Sequence, residues 1–332
     1  MSGGGGEAAG AGSETPPAGL HVIFGAGQVG SHLAESLLRD GTPVRVVKRS
    51  PGGVPEGAEA VFGDATDAGF CRAAASGARV VYHCMNPAYR TAVWREVLPK
   101  HLGNLVAAAG SAGARLVVLE NLYMLGVGDG GPLTEETPMD PRSRKGEIRA
   151  RLARELVEAH ERGDVRAVSG RASDFYGPRG VGTHFADRFW TPALQGKPAE
   201  FLPDPDMPHT YHYIPDVAEG LKALGAGPEE ILGRPWMLPC APAEPTRMLV
   251  RRFSGALGRE IGIRGMPRPL LAALGVFVPI VREVKEMLHQ WEVPFVVDDA
   301  RFRARFALRP TDPDDGAART VAWARRAYGG VS

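Results

Sequence analysis

The sequence predicts an α/β chain built on a doubly wound parallel sheet, and three observations carry that prediction. Short apolar runs rich in Val, Ile and Leu recur at residues 20–24, 44–47, 60–62, 80–83, 115–119 and 165–168, with the length and composition of buried strands. Helical stretches lie between most of them, as in repeated βαβ units. The first strand also runs straight into Gly25-Ala26-Gly27-Gln28-Val29-Gly30 and an amphipathic helix that closes at Arg39, before Gly41 and Pro43. Strand, glycine turn and helix in that order form a dinucleotide fingerprint.

Composition sets the outer bounds. A chain of 332 residues can bury a large core as one large domain or two small ones. A formal net charge of +1 implies neither nucleic acid nor an anionic membrane surface as partner. Cys71, Cys84 and Cys240 are odd in number and widely spaced, which suits a reduced, cytoplasmic protein without a metal centre. Residues 1–19 are mostly Gly, Ala, Ser, Glu and Pro, without the basic start and apolar run of a signal peptide, and read as a disordered tail. The apolar stretch 270–281 contains Gly275 and Pro279 and is too short for the ~20 residues of a membrane span.

Within the fingerprint, Gly25 permits the tight turn, Gly27 lets a pyrophosphate approach the backbone, and Gly30 lets helix and strand pack closely. The second strand ends in Lys48-Arg49-Ser50. Two cations and a hydroxyl suit a 2′-phosphate, whereas a carboxylate there would bond the free 2′-hydroxyl of NAD. NADP is therefore favoured as cofactor, with NAD as the alternative. Asp64-Ala65 follows the third strand, where Asp64 either caps a turn or reaches an adenine amino group. Cys84-Met85-Asn86 follows the fourth strand, at the carboxyl edge where open α/β folds bind ligands.

The pieces Val-Ile-Phe-Gly-Ala-Gly-Gln-Val-Gly (22–30), Phe-Gly-Asp-Ala-Thr-Asp (62–67), the run 104–119, Tyr176-Gly177-Pro178 and Tyr213-Ile-Pro-Asp-Val-Ala218 stand in one order. In that order the chain resembles the extended short-chain dehydrogenase/reductases, the NAD-dependent epimerase/dehydratase family. The resemblance runs from residue 20 to 328. It implies a Rossmann core over 20–178 and a smaller C-terminal substrate lobe over 179–328, with segments around 208–225 returning to the core.

The resemblance also implies an active centre of Ser or Thr after the fifth strand and Tyr-x-x-x-Lys on the next helix. Here Asn121 stands at the first position, and Lys145 and Arg149 replace the tyrosine and lysine. Asn121 still offers a hydrogen bond to a carbonyl oxygen. Three readings follow. Lys145, lowered in pKa by burial and Arg149, donates the proton; or Tyr123 supplies a phenol from the strand-end loop; or the fold has lost its chemistry and serves as an NADP-binding regulator. Beyond the sixth strand, Ala172 and Ser173 fall beside the nicotinamide by position, and Asp174 and Tyr176 face substrate. Arg171 reads as a buried structural cation.

His184, Phe185, Phe189 and Trp190 are expected to line the lobe above the cofactor, and His209, Tyr211 and Tyr213 to form core and pocket wall. If the apolar C-terminal stretch faces the pocket, the small-molecule substrate is lipophilic; if it faces the core or the partner copy of a homodimer, nothing follows about the substrate. The leading expectation is an NADP-dependent carbonyl reductase, or the reverse alcohol dehydrogenase, acting on a neutral and fairly apolar metabolite. The alternative is epimerisation or dehydration of a nucleotide sugar, for which Arg251 and Arg252 could hold the diphosphate.

Overall fold

The computed structural model describes residues 19–128, 130–201, 204–265, 283 and 286–329. The tail expected at 1–19 falls outside these residues apart from Gly19, as does the apolar stretch 270–281; of the run 281–290, which the sequence presents as a helix, residues 281, 282, 284 and 285 fall outside and Leu288–Trp291 forms a 3₁₀ turn.

The sheet is all parallel. It contains β1 (Leu20–Phe24), β2 (Val44–Lys48), β3 (Glu59–Phe62), β4 (Ala78–His83), β5 (Arg115–Glu120), β6 (Arg166–Arg171) and, later in the chain, β11 (Pro235–Met237). Their spatial order is β11-β6-β5-β4-β1-β2-β3, so the chain winds outward from β1 in one direction and then in the other. That reversal is the doubly wound topology, and it leaves a crevice beyond the carboxyl ends of β1 and β4, which are neighbours.

Helices cover both faces because the central strands are apolar on both sides. On one face α1 (Gln28–Arg39) and α6 (Ile214–Ala226) bury Leu33, Leu37, Val217, Leu221 and Leu224. On the other, α2 (Ala68–Ala74), α3 (Thr91–Ser111) and α4 (Arg144–Glu161) bury Cys71, Trp94, Leu98, Leu105, Leu152 and Leu156. Asp67 caps α2 by accepting from the Phe70 amide, and Ser143 caps α4 through Gly146.

Short strands carry the chain beyond the main sheet: β7 (Asp174–Tyr176), β8 (Ala199–Glu200), β9 (Pro208–His209), β10 (Tyr211–Tyr213), β12 (Glu244–Pro245) and β13 (Ile263–Arg264). β7 pairs with β10, β9 with β12 and β8 with β13. A third apolar cluster, with Tyr176, Phe185, Phe189, Trp190 and Phe253, joins α5 (Asp187–Leu194), α7 (Thr246–Leu257) and α9 (Pro313–Tyr328), the last helix after α8 (Ala300–Phe306).

The run 293–297, which the sequence presents as a small strand, does not form one. Phe295 and Val297 instead make isolated bridges to His209 and Leu133, and Pro294, just before Phe295, has no amide hydrogen to extend a ladder. Among the described residues, no helix is long and apolar enough to cross a membrane.

Candidate functional site

The glycine turn after β1 is shaped by where side chains would collide. Gly25 has φ +101°, a left-handed conformation, and a Cβ there would lie 2.9 Å from the Met85 side chain. A Cβ on Gly30 would lie 1.9 Å from the Gly25 carbonyl oxygen. Gly27 is different, because a Cβ there would meet nothing within 4 Å. Open space therefore stands over the start of α1, whose first turn carries no carboxylate. The amides of that turn have no helical acceptors, which is the local condition for holding an anion.

This turn opens into a cavity of about 510 Å³ lined by Gly25, Ala26, Gly27, Lys48, Arg49, Ser50, Asp64, Ala65, Cys84, Met85 and Asn86. Eleven of the sequence-derived cofactor residues are thus brought together. Asp64 closes its own turn by accepting from the Thr66 amide at 2.9 Å, which holds its carboxyl below the usual aspartate value. Val29 packs into the helix–sheet core and lines neither this cavity nor the next. Ala172 is likewise buried, donating its amide to the Glu120 carbonyl.

A second cavity of about 370 Å³ lies beside the first, with Asn86 in the wall of both. It holds Gln28, Asn121, Tyr123, Ser173, Asp174 and His184 from the sequence-derived set. Tyr89, Gln290, Trp291 and Phe295 complete its walls. A loop from Pro178 to Thr183 roofs the approach. Arg179 pairs with Glu35 at 2.6 Å, His32 bonds the Pro178 carbonyl, and the Gly182 amide donates to Gln28 Oε1.

At the end of β5, the Tyr123 amide donates to Asn121 Oδ1 at 3.3 Å, leaving the Asn121 amide nitrogen to meet a ligand. Tyr123 begins a 3₁₀ turn with its ring stacked on Trp94, 6.0 Å between centroids, and its hydroxyl accepts from Tyr89. Burial pushes the Tyr123 phenol up, and the charge of Asp174 adds to that.

Lys145 differs from expectation. Its side chain is fully buried and lines neither cavity. The ammonium donates to the Glu283 carboxylate, lies 3.4 Å from Glu286 Oε2 and sits 4.6 Å over the Tyr89 ring. Two carboxylates and an aromatic face enclose it, so it pairs with Glu283 and Glu286 instead of reaching a ligand. Arg149, one turn later, stacks on Trp94 at 4.7 Å and donates from Nη2 to Asn86 Oδ1 at 3.1 Å. It therefore acts on the cavities through Asn86. Arg171 pairs with buried Glu120 at 3.0 Å, as expected of a structural cation.

Asp174 and His184 both face the second cavity, with Asp174 Oδ1 3.7 Å from His184 Nε2. The other carboxylate oxygen, Oδ2, lies 2.9 Å from His209 Nε2. Tyr176 does not join them: it is 3% exposed, packs on Tyr213 and Phe253, and lines neither cavity. Because strand residues alternate, Asp174 at the start of β7 and Tyr176 at its end share a face, but the aromatic cluster buries the latter. The cavity-lining residues that sequence reasoning passed over include Tyr89, Met287, Gln290, Trp291 and Phe295. Gln290 and Trp291 end a 3₁₀ turn, Leu288–Trp291, and Phe295 follows it; the contacts of Trp291 and Phe295 with His209 are visible only once the chain is folded.

The sequence profile of the NAD-dependent epimerase/dehydratase family matches residues 22–234. The chain belongs to this family. The match spans both cavities except for the residues contributed after 234. No curated relative matches the sequence. Solved structures with the same fold include a UDP-glucuronic acid 4-epimerase from Bacillus cereus in complex with NAD, at TM-score 0.74 and 16% identity over 93% of this chain and 99% of that one. The enzyme WbmH from Bordetella bronchiseptica, in complex with NAD+, aligns at TM-score 0.71 and 18% identity over 94% and 99%. UDP-glucose 4-epimerase from Thermotoga maritima, with UDP-glucose, aligns at 0.74 and 16% over 93% and 99%. At these identities the family's fold is what the chain and the three structures share.

Proposed function

We propose that the chain is a nicotinamide-dinucleotide-dependent enzyme that interconverts a hydroxyl and a carbonyl carbon of a nucleotide sugar, as an epimerase or dehydratase. The observation that carries this reading is that Asn86 stands in the walls of two cavities, one opening from the glycine turn and the other lined by hydrogen-bonding side chains. Family membership supports the chemistry, and the UDP-sugar and NAD named for the fold relatives favour a nucleotide sugar over the neutral metabolite expected from sequence.

The residues fit a dinucleotide. Open space over Gly27 admits a pyrophosphate, and Lys48, Arg49 and Ser50 stand where the adenosine ribose would lie. When bound, the nicotinamide would accept hydride from the substrate carbon and return it. The chain's part is to orient and to handle protons. Asn121 donates to the substrate oxygen, Tyr123 adds a phenol beside it, and Arg149 holds the Asn86 side chain at the junction. The roof from Pro178 to Thr183 limits entry of water.

A second reading is kept for one observation: no Lys or Arg lines the 370 Å³ cavity among the described residues, which suits a neutral carbonyl substrate. The experiment is incubation of the full chain with NAD+ and either UDP-glucuronate or UDP-galactose, followed by proton NMR, beside a panel of neutral ketones with NADPH. Conversion of a nucleotide sugar without net accumulation of reduced cofactor is expected. Turnover of ketones alone selects the second reading. Cofactor binding with no conversion in either panel overturns both and supports a regulator.

A further inference from the structure

The titratable side chains that line the second cavity are Tyr89, Tyr123, Asp174 and His184, among the described residues. Burial pushes both phenols up and the negative charge of Asp174 adds to this, while their mutual hydrogen bond raises Tyr89 and partly offsets the shift of Tyr123. Near neutral pH each phenol keeps its proton, so each can donate a hydrogen bond but cannot act as a base. Lys145, the cation that replaces the family's tyrosine, is enclosed by Glu283 and Glu286. An imidazole and a carboxylate remain.

Their arrangement is ordered. The Asp174 carboxylate lies between two imidazoles, 3.7 Å from His184 Nε2 and 2.9 Å from His209 Nε2. The side chains of His184 and Asp174 are 24% and 18% exposed, whereas that of His209 is fully buried. His209 is clamped between Trp291, stacked at 4.8 Å and 6°, and Phe295, stacked at 5.1 Å and 16°. Trp291 also meets the His184 ring edge-on at 4.8 Å. β7 is fixed by its pairing with β10, in which Tyr211 lies opposite Asp174. His209 therefore holds one carboxylate oxygen in place while the other faces the ring exposed to the cavity.

We propose that His184 and Asp174 form the proton-transfer couple of this site, with His209 as the residue that positions Asp174. The inference rests on the reading that the substrate occupies the second cavity. In the forward step the substrate O–H bond breaks, its oxygen keeps the electron pair, and the proton forms an N–H bond on the His184 imidazole. The resulting imidazolium faces the Asp174 carboxylate, which offsets its charge. The reverse step returns the proton to the same oxygen.

The electrostatics around the couple are defined. Burial lowers the His184 pKa, Asp174 partly offsets this, and His209 adds to the lowering. Burial pushes Asp174 up, but the hydrogen bond from His209 and the charges of His209, His184 and His212 carry it below the usual aspartate value. Tyr89, Tyr123 and Tyr211 face Asp174 as neutral phenols. Phe201 and Trp291 supply apolar walls to His184.

The test has two arms on the full chain. In the first, histidine ring resonances are titrated by NMR in the wild type and in Asp174→Asn, without cofactor or substrate. Loss of the carboxylate is expected to move the His184 titration to lower pH; a His184 titration unchanged in Asp174→Asn overturns the couple. In the second, kcat is followed against pH with the UDP-sugar or ketone that the wild type converts. His184→Gln is expected to lower kcat at least about tenfold with KM and NADH affinity retained, and to remove the acid limb on which kcat falls as the imidazole protonates. His209→Asn is expected to shift that limb without removing it. A His184→Gln chain with wild-type kcat and pH profile overturns the proposal. A wild type that converts neither class overturns the substrate reading, and the titration arm then decides the couple alone. Retained NADH binding and thermal unfolding show which variants are folded.

Discussion

Lys145 Nζ lies 3.4 Å from Glu286 Oε2 and also donates to Glu283, with the lysine side chain wholly buried on the first turn of α4. The same Glu283 carboxylate accepts from the Thr91 hydroxyl at 2.8 Å and from the Thr91 amide at 3.1 Å, at the first turn of α3. Two helix starts and one ammonium thus hold the segment that leads to Met287, Gln290 and Trp291 in the cavity wall. The anchor and the wall form one mechanical unit.

Removing the cation strands two carboxylates in a poorly hydrated place. Lys145→Met is expected to destabilise the chain by about 3–5 kcal/mol, the usual cost of breaking a buried pair, read from urea unfolding. Adding Glu283→Gln to Lys145→Met should restore part of that loss. Acid dependence follows from the same contact. Burial raises the Glu283 carboxyl, but the hydrogen bonds from Lys145 and Thr91 carry it below its ordinary value of 4.5. Its contribution to stability is present above that ordinary value and is lost as pH falls through the lowered one. Unfolding midpoints measured against pH should fall less steeply in that acid range for Lys145→Met than for the wild type.

The three glycines of the turn separate fold from ligand. Gly30→Ala would push a methyl to 1.9 Å from the Gly25 carbonyl oxygen, so α1 must move off β1 and the thermal midpoint should drop by several degrees. Gly27 has φ −82°, which any residue adopts, and free space around it. Gly27→Ala should keep the wild-type melting curve while weakening NADH and NADPH binding at least about tenfold, since the methyl takes the space of a phosphate. Calorimetric titration beside thermal unfolding distinguishes the two effects. Equal cofactor affinity in Gly27→Ala would remove the phosphate from this turn.

That contrast shows what the sequence could and could not reveal. Order and spacing located the glycine turn, Lys48, Arg49, Asp64 and Asn86 in one cavity, because each sits at the carboxyl end of a strand and parallel strands bring their ends to one edge. The family resemblance rested on the same ends. What stayed hidden depends on distant packing. Spacing on α4 placed Lys145 and Arg149 on one side of a helix, yet nothing local indicated that Glu283 and Glu286, more than 130 residues later, would cover the first of them. In the same way, His209 looked like pocket wall, and its 2.9 Å contact with Asp174 arises only when β10, which follows it in the chain, pairs with β7. Tyr176 carried a family motif, and the motif served the aromatic core.

Arg149 provides a test of action at one remove. It touches neither cavity, but its Nη2 donates to Asn86 Oδ1 at 3.1 Å, and Asn86 stands in the wall of both. Burial lowers the Arg149 pKa, with Glu120 and two tyrosines opposing that shift. Arg149→Met keeps much of the packing on Trp94 and frees the Asn86 side chain. It is expected to weaken NADH binding about tenfold by loss of one charge-assisted, oriented hydrogen bond, and Asn86→Ala should weaken it by a similar factor. The double variant should be no weaker than either single one, because both remove the same contact. Additive losses measured by fluorescence titration would show that the two residues act separately.

The end of β2 decides which dinucleotide is held. Lys48 and Arg49 border the larger cavity, and the Lys48 ammonium donates to the Gly52 carbonyl across the turn. Two of the fold relatives named above were solved with NAD, whereas the larger cavity of this chain is bordered by two cations and Ser50. A 2′-phosphate placed there gains charge-assisted hydrogen bonds that a 2′-hydroxyl cannot. The wild type is therefore expected to bind NADPH more tightly than NADH. The Lys48→Ala/Arg49→Ala chain should lose at least about tenfold in NADPH affinity with NADH affinity unchanged, and the NADPH advantage should shrink as salt is raised, because exposed charges are screened. Tighter NADH binding by the wild type would leave the two cations as a solvated loop and make NAD the cofactor of this chain.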